Sequence, residues 1–479
     1  MTSYHQKVDM DQLTKEAIDW ALAHGLVVRP TVDKQQHFKN NAAVIHAPLA
    51  LYPTPFPRHE FVKAKELQQP WNSLIHKMSQ DNDLIQEVME TLSNVDDFMK
   101  QLYSIYMQVQ QQGVAQSASL GIHRCDYLLH ADVGQDASNA RIQQVEFNTI
   151  ASSFGSLSTR MGQLHRYLLS AIDHYGDDKI VFDQLPENDA ISAIADGLAS
   201  GWKLYNKNTA RVMMIVQPDE RNAFDQRWIE YALQERHGVH LLRRSMTDVI
   251  ERGQFDEATK TLSVDGHEIA VVYYRAGYGP EDYHGPQEWA ARLMMEKSQA
   301  IKCPTVAYQL VGAKKVQQVL AMPGRLEKYV DDATAAQLRE SFAGLYPLDQ
   351  SPQGKEAYQM ALQSPERFVL KPQREGGGNN VYGDDIEKVL TPLSEEGRMA
   401  YILMDLIRTP PVHNAMLREG QVIQGQVVSE LGIYGIYLSD GNKEVVNNVG
   451  GHLLRTKGVE TKEGGVAAGF AVIDSPLLV

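Results

Sequence analysis

The segment R-F-V-L-K-P-Q-R-E-G-G-G-N-N, residues 367–380, constrains this chain more than any other stretch. Phe368, Val369 and Leu370 are consecutive apolar β-formers and predict a short buried strand. Lys371 stands at its end. Pro372, Gln373, Arg374 and Glu375 then lead into Gly376, Gly377, Gly378, Asn379 and Asn380. Three glycines in a row cost backbone entropy and give nothing to pack. What they offer is close backbone approach and exposed N–H groups, which suit phosphate oxygens. Lys371 adds a point charge, and Glu375 adds a hard oxygen of the kind Mg²⁺ takes beside phosphates. The pattern points to a nucleotide-binding flap. A flexible surface turn is the plainer alternative, and the segment by itself admits both.

At 479 residues the chain exceeds what one hydrophobic core usually serves, so two or three lobes are expected. A formal net charge of −14 argues against a nucleic-acid groove or an anionic membrane as the main partner. It leaves room for a local basic pocket. Cys125 and Cys303 are the only cysteines, so neither a disulfide framework nor a Cys-based zinc site is expected. The N-terminal stretch lacks the apolar core of a signal peptide, and no apolar run approaches a membrane span. The expected setting is the reducing cytoplasm.

Hydrophobic spacing predicts a helix over 11–24 and a strand over 43–48. Three prolines make 52–57 loop. Residues 60–112 read as helical with one break near 79–83, and their apolar stripe reads as core. Strands over 124–132 and 141–148, separated by turn residues, predict an antiparallel pair. The two-residue period puts Ile142, Gln144, Glu146 and Asn148 on one face. Glu146 and Asn148 then offer a carboxylate and an amide oxygen side by side. That pair suits Mg²⁺ and equally suits a polar, solvent-facing edge. Helices over 157–174 and 189–205 follow.

Strands over 211–217, 239–242 and 268–274 alternate with helices over 224–237 and 287–300. This alternation predicts a small parallel α/β unit at about 206–312. No G-x-G-x-x-G follows its first strand and no P-loop occurs anywhere, so neither kind of site is expected. Ligands bind outside the carboxyl ends of parallel strands, which makes 220–226 and 275–278 candidate substrate contacts. A helix begins at Lys314. The region 345–408 holds a helix, the 368–370 strand, the glycine loop, another helix and a strand at 401–405. Strands over 426–432 and 433–438 lead to H-L-L-R-T-K (452–457) and a second small-residue loop, E-G-G-V-A-A-G-F-A (463–471). The expected lobes are 1–205, 206–312 and 313–479, with a lid at about 345–408.

Six motifs in order, K-P-Q-R-E-G-G-G-N-N, Q-V-E-F-N-T-I, E-R-N-A-F-D-Q, R-A-G-Y, S-E-L-G-I-Y-G and H-L-L-R-T-K…G-G-V-A-A-G, resemble the eukaryotic-type glutathione synthetase family. The resemblance runs from the 43–48 region to the C-terminus. It implies an α/β (α+β) ATP-grasp fold with an antiparallel sheet core, a Gly-rich lid and a small parallel α/β substrate-binding domain. It implies a homodimer that joins γ-glutamylcysteine to glycine through an acyl phosphate, converting ATP to ADP and phosphate.

By motif match, Glu146, Asn148 and Glu375 would hold Mg²⁺. Glu146, Lys314, Lys371, Gln373, Glu375, Gly376, Gly377, Gly378, Asn379, Asn380, Tyr382, Glu430, Lys457 and Glu463 would contact ATP, with Met404, Asp405, Leu406 and Ile407 at the adenine. Arg124, Ser153, Glu220, Asn222, Gln226, Arg275, Tyr278, Arg455, Val466 and Ala467 would contact the dipeptide or glycine. Arg124, Lys371 and Arg455 would be catalytic. Two positions depart from the family pattern: Asp405-Leu406 stands where relatives have Glu-Lys, and Ala151 where they often have Ser. A ligase for another amine, such as β-alanine, and a nucleotide-binding regulator without turnover are the competing readings.

If 376–378 close over phosphates, Gly377→Val restricts the backbone and blocks that approach. The variant is expected to lower kcat far more than ATP affinity. Steady-state kinetics beside a nucleotide-binding titration checks this, and an unchanged kcat overturns it.

Overall fold

A computed structural model of the chain describes residues 9–31, 42–132, 134, 139–171, 182–373, 379–441, 443–461, 466 and 471–479. In chain order the site-bearing sheets are built from β1 (Leu49–Ala50), β2 (Ser119–His130), β3 (Arg141–Asn148), β4 (Arg211–Ile215), β5 (Leu241–Arg244), β6 (His267–Tyr274), β7 (Ile301–Cys303), β8 (Leu345–Tyr346), β9 (Phe368–Pro372), β10 (Val381–Tyr382), β11 (Tyr401–Asp405), β12 (Val412–Arg418), β13 (Gln421–Asp440), β14 (Lys443–Gly458) and β15 (Val472–Asp474).

Among the described residues the large sheet has 13 strands and is organised about the β2–β13 pair. These two run antiparallel in unbroken register from Leu128 opposite Glu430 to Ser119 opposite Ser439. β14, β15, β1 and β12 extend the sheet on the β13 side. The other edge of β2 is divided. Its later residues, Arg124 to His130, pair antiparallel with β3, and Ser119 pairs in parallel with Lys302 of β7. Through that contact the parallel set β7-β6-β4-β5 continues the same sheet. A second, four-stranded antiparallel sheet has the order β8-β11-β9-β10.

Side-chain alternation divides the central strands cleanly. Cys125 and Tyr127 of β2, Leu431 and Ile433 of β13, and Leu454 of β14 pack against helices Arg58–Ser79, Asn82–Leu92 and Asp97–Gln112. On the other face Leu120, Ile122, Ile436 and Leu438 pack under helix Ala190–Tyr205. Two residues further along β2 the same face turns polar, at Arg124 and Asp126.

Several expectations are corrected. Residues 60–112 form three helices, because Asp96 caps a third one by accepting from Met99 N at 2.9 Å, just as Asp81 caps the second. The strand expected at 43–48 is two short strands flanking Pro48. The strands expected at 426–432 and 433–438 are one, since Gly432 pairs within β13 and does not turn the chain. The expected 52–57 loop contains a strand, Thr54–Phe56, whose partner is the parallel strand Pro476–Leu478. β1, β7, β8, β10, β12 and β15 were not anticipated. Ile142, Gln144, Glu146 and Asn148 do not share a face. A bulge leaves Val145 unpaired between Gln144, the partner of Tyr127, and Glu146, the partner of Asp126. Ile142 and Phe147 therefore enter the same helix-side core, while Glu146 and Asn148 lie opposite Asp126 and Arg124. Among the described residues no helix is long and apolar enough to cross a membrane.

Where β15 ends, Asp474 is buried and accepts from the hydroxyls of Thr54 and Thr456, each at 2.6 Å, and from Ser475 N at 2.7 Å. Burial pushes its carboxyl up to about 7, against the hydrogen bonds of Thr456, Thr54 and Ser475 that pull it down. In the unfolded chain the group ionises near its ordinary 3.8. Its proton is thus held more tightly by the folded state, and its contribution to stability is lost as pH rises from 3.8 towards 7. Asp474→Asn has no such titration. Denaturant unfolding of both proteins across this window is expected to show the variant gaining on the parent as pH rises, by on the order of a few kcal/mol in all. Parallel stability curves overturn it.

Candidate active site

Four strands bring the polar residues of the central face together, in the order β3, β2, β13, β14. Across the strands Asn148 lies opposite Arg124, Glu146 opposite Asp126, and Glu430 opposite Arg455. Arg124 donates from Nε to Asp126 Oδ1 at 2.6 Å and from Nη2 to Oδ2 at 2.7 Å. Asp126 Oδ2 also accepts from Arg455 Nη2 and from Asn148 Nδ2, both at 3.0 Å. Arg455 further pairs with Glu430. Gly432 makes the space for this arrangement, because a Cβ there would lie 2.7 Å from both Asp126 Oδ1 and Arg124 Cδ.

Glu146 sits amid cations. Lys314 Nζ, at the start of helix Lys314–Ala321, is 3.5 Å from its Oε2. Burial pushes the Glu146 carboxyl up, but Lys314, Lys371, Arg455 and Arg124 outweigh it and hold the group down to about 2. Burial raises Glu430 instead, with Arg455 opposing and the Asp126 and Glu146 charges adding to the rise. Lys371, on β9 of the second sheet, donates to the carbonyl of the bulged Val145 at 2.8 Å. The bulge thus turns Glu146 towards the cations and gives Lys371 an oxygen to dock on.

The donor set beside these lysines fits a hard divalent cation. Glu146 is kept ionised. Asn148 gives its amide nitrogen to Asp126 Oδ2 and, at 3.2 Å, to Arg124 O. Both partners only accept, so the amide cannot be turned round, and its oxygen remains to serve a metal. Among the described residues no three His, Cys, Asp or Glu side chains form a metal-holding group. The third expected ligand, Glu375, lies outside the described residues.

The α/β side joins at Ser153. Arg124 Nη1 donates to its carbonyl at 3.3 Å, Tyr434 Oη to the same carbonyl at 2.5 Å, and Arg275 Nη2 to its hydroxyl at 2.9 Å. Arg275 also pairs with Asp225 at 2.9 Å. Asp225 in turn accepts from Phe154 N, Ser156 N and Leu157 N, and so holds the start of helix Gly155–Ala171. Burial opposes the Arg275 charge, but Tyr273, Asp225 and Glu220 hold it above its ordinary value. Glu220 accepts from Asn222 N and from Gln226 Nε2, each at 2.7 Å. Tyr278 meets Gln217 at 3.4 Å. Among the described residues, buried Arg275 Nε and Nη1 and Asn222 Oδ1 have no hydrogen-bond partner. Such groups are costly unless something supplies their bonds, which suits a polar ligand here.

Arg124, Asn148, Ser153, Arg275, Glu430 and Arg455 are joined in one chain of contacts, with Glu146, Lys314 and Lys371 beside it. Others are placed around it. Gln373 accepts from Lys315 N at 3.0 Å, and Asn380 donates to Tyr382 Oη at 3.4 Å. Asn379 is half-buried before β10, and Lys457 lies on β14. Met404 Sδ is 3.9 Å from Lys371 Nζ. Asp405 bonds to Tyr346 Oη at 3.2 Å, and the N–H groups of Asp405 and Leu406 go to Gly344 O and Arg367 O. Ile407 follows at the edge of a small apolar cluster with Val369 and Ile402. Val466 is buried in an apolar cluster that also holds Leu453 and Tyr434. Gly376, Gly377, Gly378, Glu463 and Ala467 lie outside the described residues. Asp126 and Tyr434 were missed, although Asp126 shares Arg124's face at a two-residue step. Asp225 was inside a quoted motif and unassigned.

A sequence model described as eukaryotic glutathione synthase, ATP binding domain, matches residues 7–478. The chain is 42% identical over 480 residues to glutathione synthetase of Xenopus laevis, covering 99% of this chain and 98% of that protein. It is 41% identical over 474 residues to glutathione synthetase of Homo sapiens, covering 98% and 97%. A solved structure of a glutathione synthetase-like effector from Globodera pallida, in apo form, superposes with a TM-score of 0.77 at 23% identity, over 99% of both chains. At that identity the likeness concerns the fold.

Arg275 bridges Ser153 and Asp225 through Nη2 from a buried position, and a lysine side chain ends one bond short of that atom. Arg275→Lys is expected to cost about 1–3 kcal/mol of stability. Denaturant unfolding measures it, and a loss within error of zero shows that the bridge holds nothing.

Proposed function

Because the chain belongs to the eukaryotic glutathione synthase family and has an ATP-grasp type architecture, we propose that the central face carries out an ATP-driven peptide ligation there. The protein is an ATP-dependent glutathione synthetase, and its substrates are ATP, γ-glutamylcysteine and glycine. The observation that carries the assignment of roles is the joined set Arg124, Asn148 and Arg455 on Asp126, beside Glu146, Lys314 and Lys371.

A free carboxylate is a poor electrophile at neutral pH. Transfer of the γ-phosphoryl group of ATP to the dipeptide's glycyl-accepting carboxylate gives an acyl phosphate and ADP. The glycine amine then attacks the acyl carbon, and the tetrahedral intermediate expels phosphate. Lys371, between the second sheet and the Val145 carbonyl, and Lys314 beside Glu146 are placed to neutralise phosphoryl oxygens. Arg124 Nη1, the part of that guanidinium not committed to Asp126, points to the Ser153 segment and serves the acyl end of the dipeptide. Arg455 serves the developing oxyanion or the glycine carboxylate. Arg275, Asn222, Glu220 and Gln226 hold the γ-glutamyl end, where Arg275 Nε and Nη1 and Asn222 Oδ1, without partners among the described residues, suit polar groups. Glu146 and Asn148 would hold Mg²⁺ with Glu375. Bound there, the ion supplies charge neutralisation and alignment of the phosphates. The 345–408 region with β9 and β10 is the proposed lid, and Met404 to Ile407 the proposed adenine edge. With the backbone N–H groups of Asp405 and Leu406 already engaged and the Asp405 carboxylate accepting from Tyr346 Oη, the base is read by other backbone groups of 405–407. A homodimer in the cytosol completes the reading; the buried free thiols Cys125 and Cys303 suit a reducing compartment.

The test is ADP release by purified protein with γ-glutamylcysteine and a panel of amines. Glycine is the expected acceptor. One added methylene is worth only about 1–3 kcal/mol, so β-alanine should react roughly 10- to 200-fold less efficiently in kcat/KM. A preference for β-alanine, or amine-independent ADP release, overturns the glycine assignment.

A further inference from the structure

We infer that Asp126, which touches none of the proposed substrates, is the positioning residue that sets Arg124, Arg455 and Asn148 in register with one another. This rests on the proposed function, since it concerns how the same face is held. An ionised carboxylate has about four acceptor sites over its two oxygens. Asp126 receives Arg124 Nε on Oδ1, and Arg124 Nη2, Arg455 Nη2 and Asn148 Nδ2 on Oδ2. Its side chain is 0% exposed. With four donors on it and no exposed surface, Asp126 acts through the groups it holds.

These four bonds fix how each of the three donor residues is oriented. Arg124 has Nε and Nη2 occupied, which leaves Nη1 towards Ser153. Arg455 shares Nη2 between Asp126 and Glu430. Asn148 commits its nitrogen and so presents its oxygen beside Glu146. One carboxylate thus ties the electrophile's arginines to the orientation of a metal-facing amide. Neutralising buried arginines would need no bond to a neutral amide, and the Asn148 contact is what separates the two roles.

Asp126→Asn tests this. The variant removes the charge the two arginines share; with its NH₂ at Oδ1 the new amide opposes Arg124 Nε, and turned the other way it opposes all three donors on Oδ2, so the set is not held as in the parent. Groups that orient metal ligands typically change metal affinity or activity 10- to 100-fold when removed. The apparent Mg²⁺ activation constant and the KM for γ-glutamylcysteine are both expected to rise by that factor. The Mg²⁺-dependent gain in melting temperature with a non-hydrolysable ATP analogue should shrink in parallel. A purely structural Asp126 would lower the melting temperature and the active fraction but leave both constants unchanged, and that result overturns the proposal.

Should Asp126→Asn fail to fold, Asn148→Asp gives an independent answer. It adds negative charge to a metal-facing group but removes the donor to Asp126. The proposal expects a weaker Mg²⁺ response in the thermal shift, and a response as strong as the parent's overturns it. If the parent protein releases no ADP with γ-glutamylcysteine and glycine, the functional reading fails. The thermal-shift arms still decide the role of Asp126.

Discussion

A guanidinium taken out of water must meet an anion at short range, and in this chain the Arg124–Asp126 pair meets that demand at the middle of the sheet. The pair fixes much around it. It requires β2 and β13 to stay in register, because Gly432 gives the open space across which it lies. It requires polar partners from both flanks, which β3 supplies with Asn148 and β14 with Arg455. The apolar residues Leu120 and Ile122 lie on the same face and end where the pair begins, so core and site share one strand without mixing. A face carrying this much charge is expensive as structure alone. It is economical as a place where new charge develops, since the compensating groups are already oriented.

The Val145 bulge is the second determinant. Without it Glu146 and Asn148 would face the helix-side core with Ile142, and Phe147 would face the site. With it, one extra residue reverses the strand's faces, and the freed carbonyl receives Lys371 from the other sheet. The two sheets are thereby joined where the lysines gather round Glu146. Under the proposed function these lysines exchange a carboxylate for phosphate oxygens when nucleotide arrives, so closure of the second sheet and phosphate binding draw on the same charges.

Local patterns were legible where one force decides them. The 141–148 strand is observed with the expected limits, and the parallel order of the α/β strands follows from their alternation with helices. The site residues were legible as types: a lysine at a strand end, a carboxylate and an amide near one another, arginines after strands. Several elements were illegible for definite reasons. β7 has three residues, Ile301–Cys303, too few for a period to register. Asp96 reads as one polar residue among many until its hydrogen bond to Met99 N ends one helix and starts another. Gly432 suggests a turn in sequence, yet pairs as strand, because what it avoids is a side chain arriving from β2.

The sequence by itself determined the list of chemical parts and the family to which they belong. Hydrophobic spacing and motif order are properties of neighbouring residues, and these survive in one dimension. The tertiary structure alone decided which way each part points. Strand period placed Glu146 with Ile142, and a single unpaired residue in a ladder with β2 undid it. Nothing in R-C-D-Y distinguished Asp126 from an ordinary polar strand residue. Its role arises from bonds to Arg455, 329 positions away along the chain, and to Asn148, 22 positions away. Hydrogen bonds and ion pairs act over a few ångströms regardless of sequence distance, so the centre of the site exists only once the strands have paired.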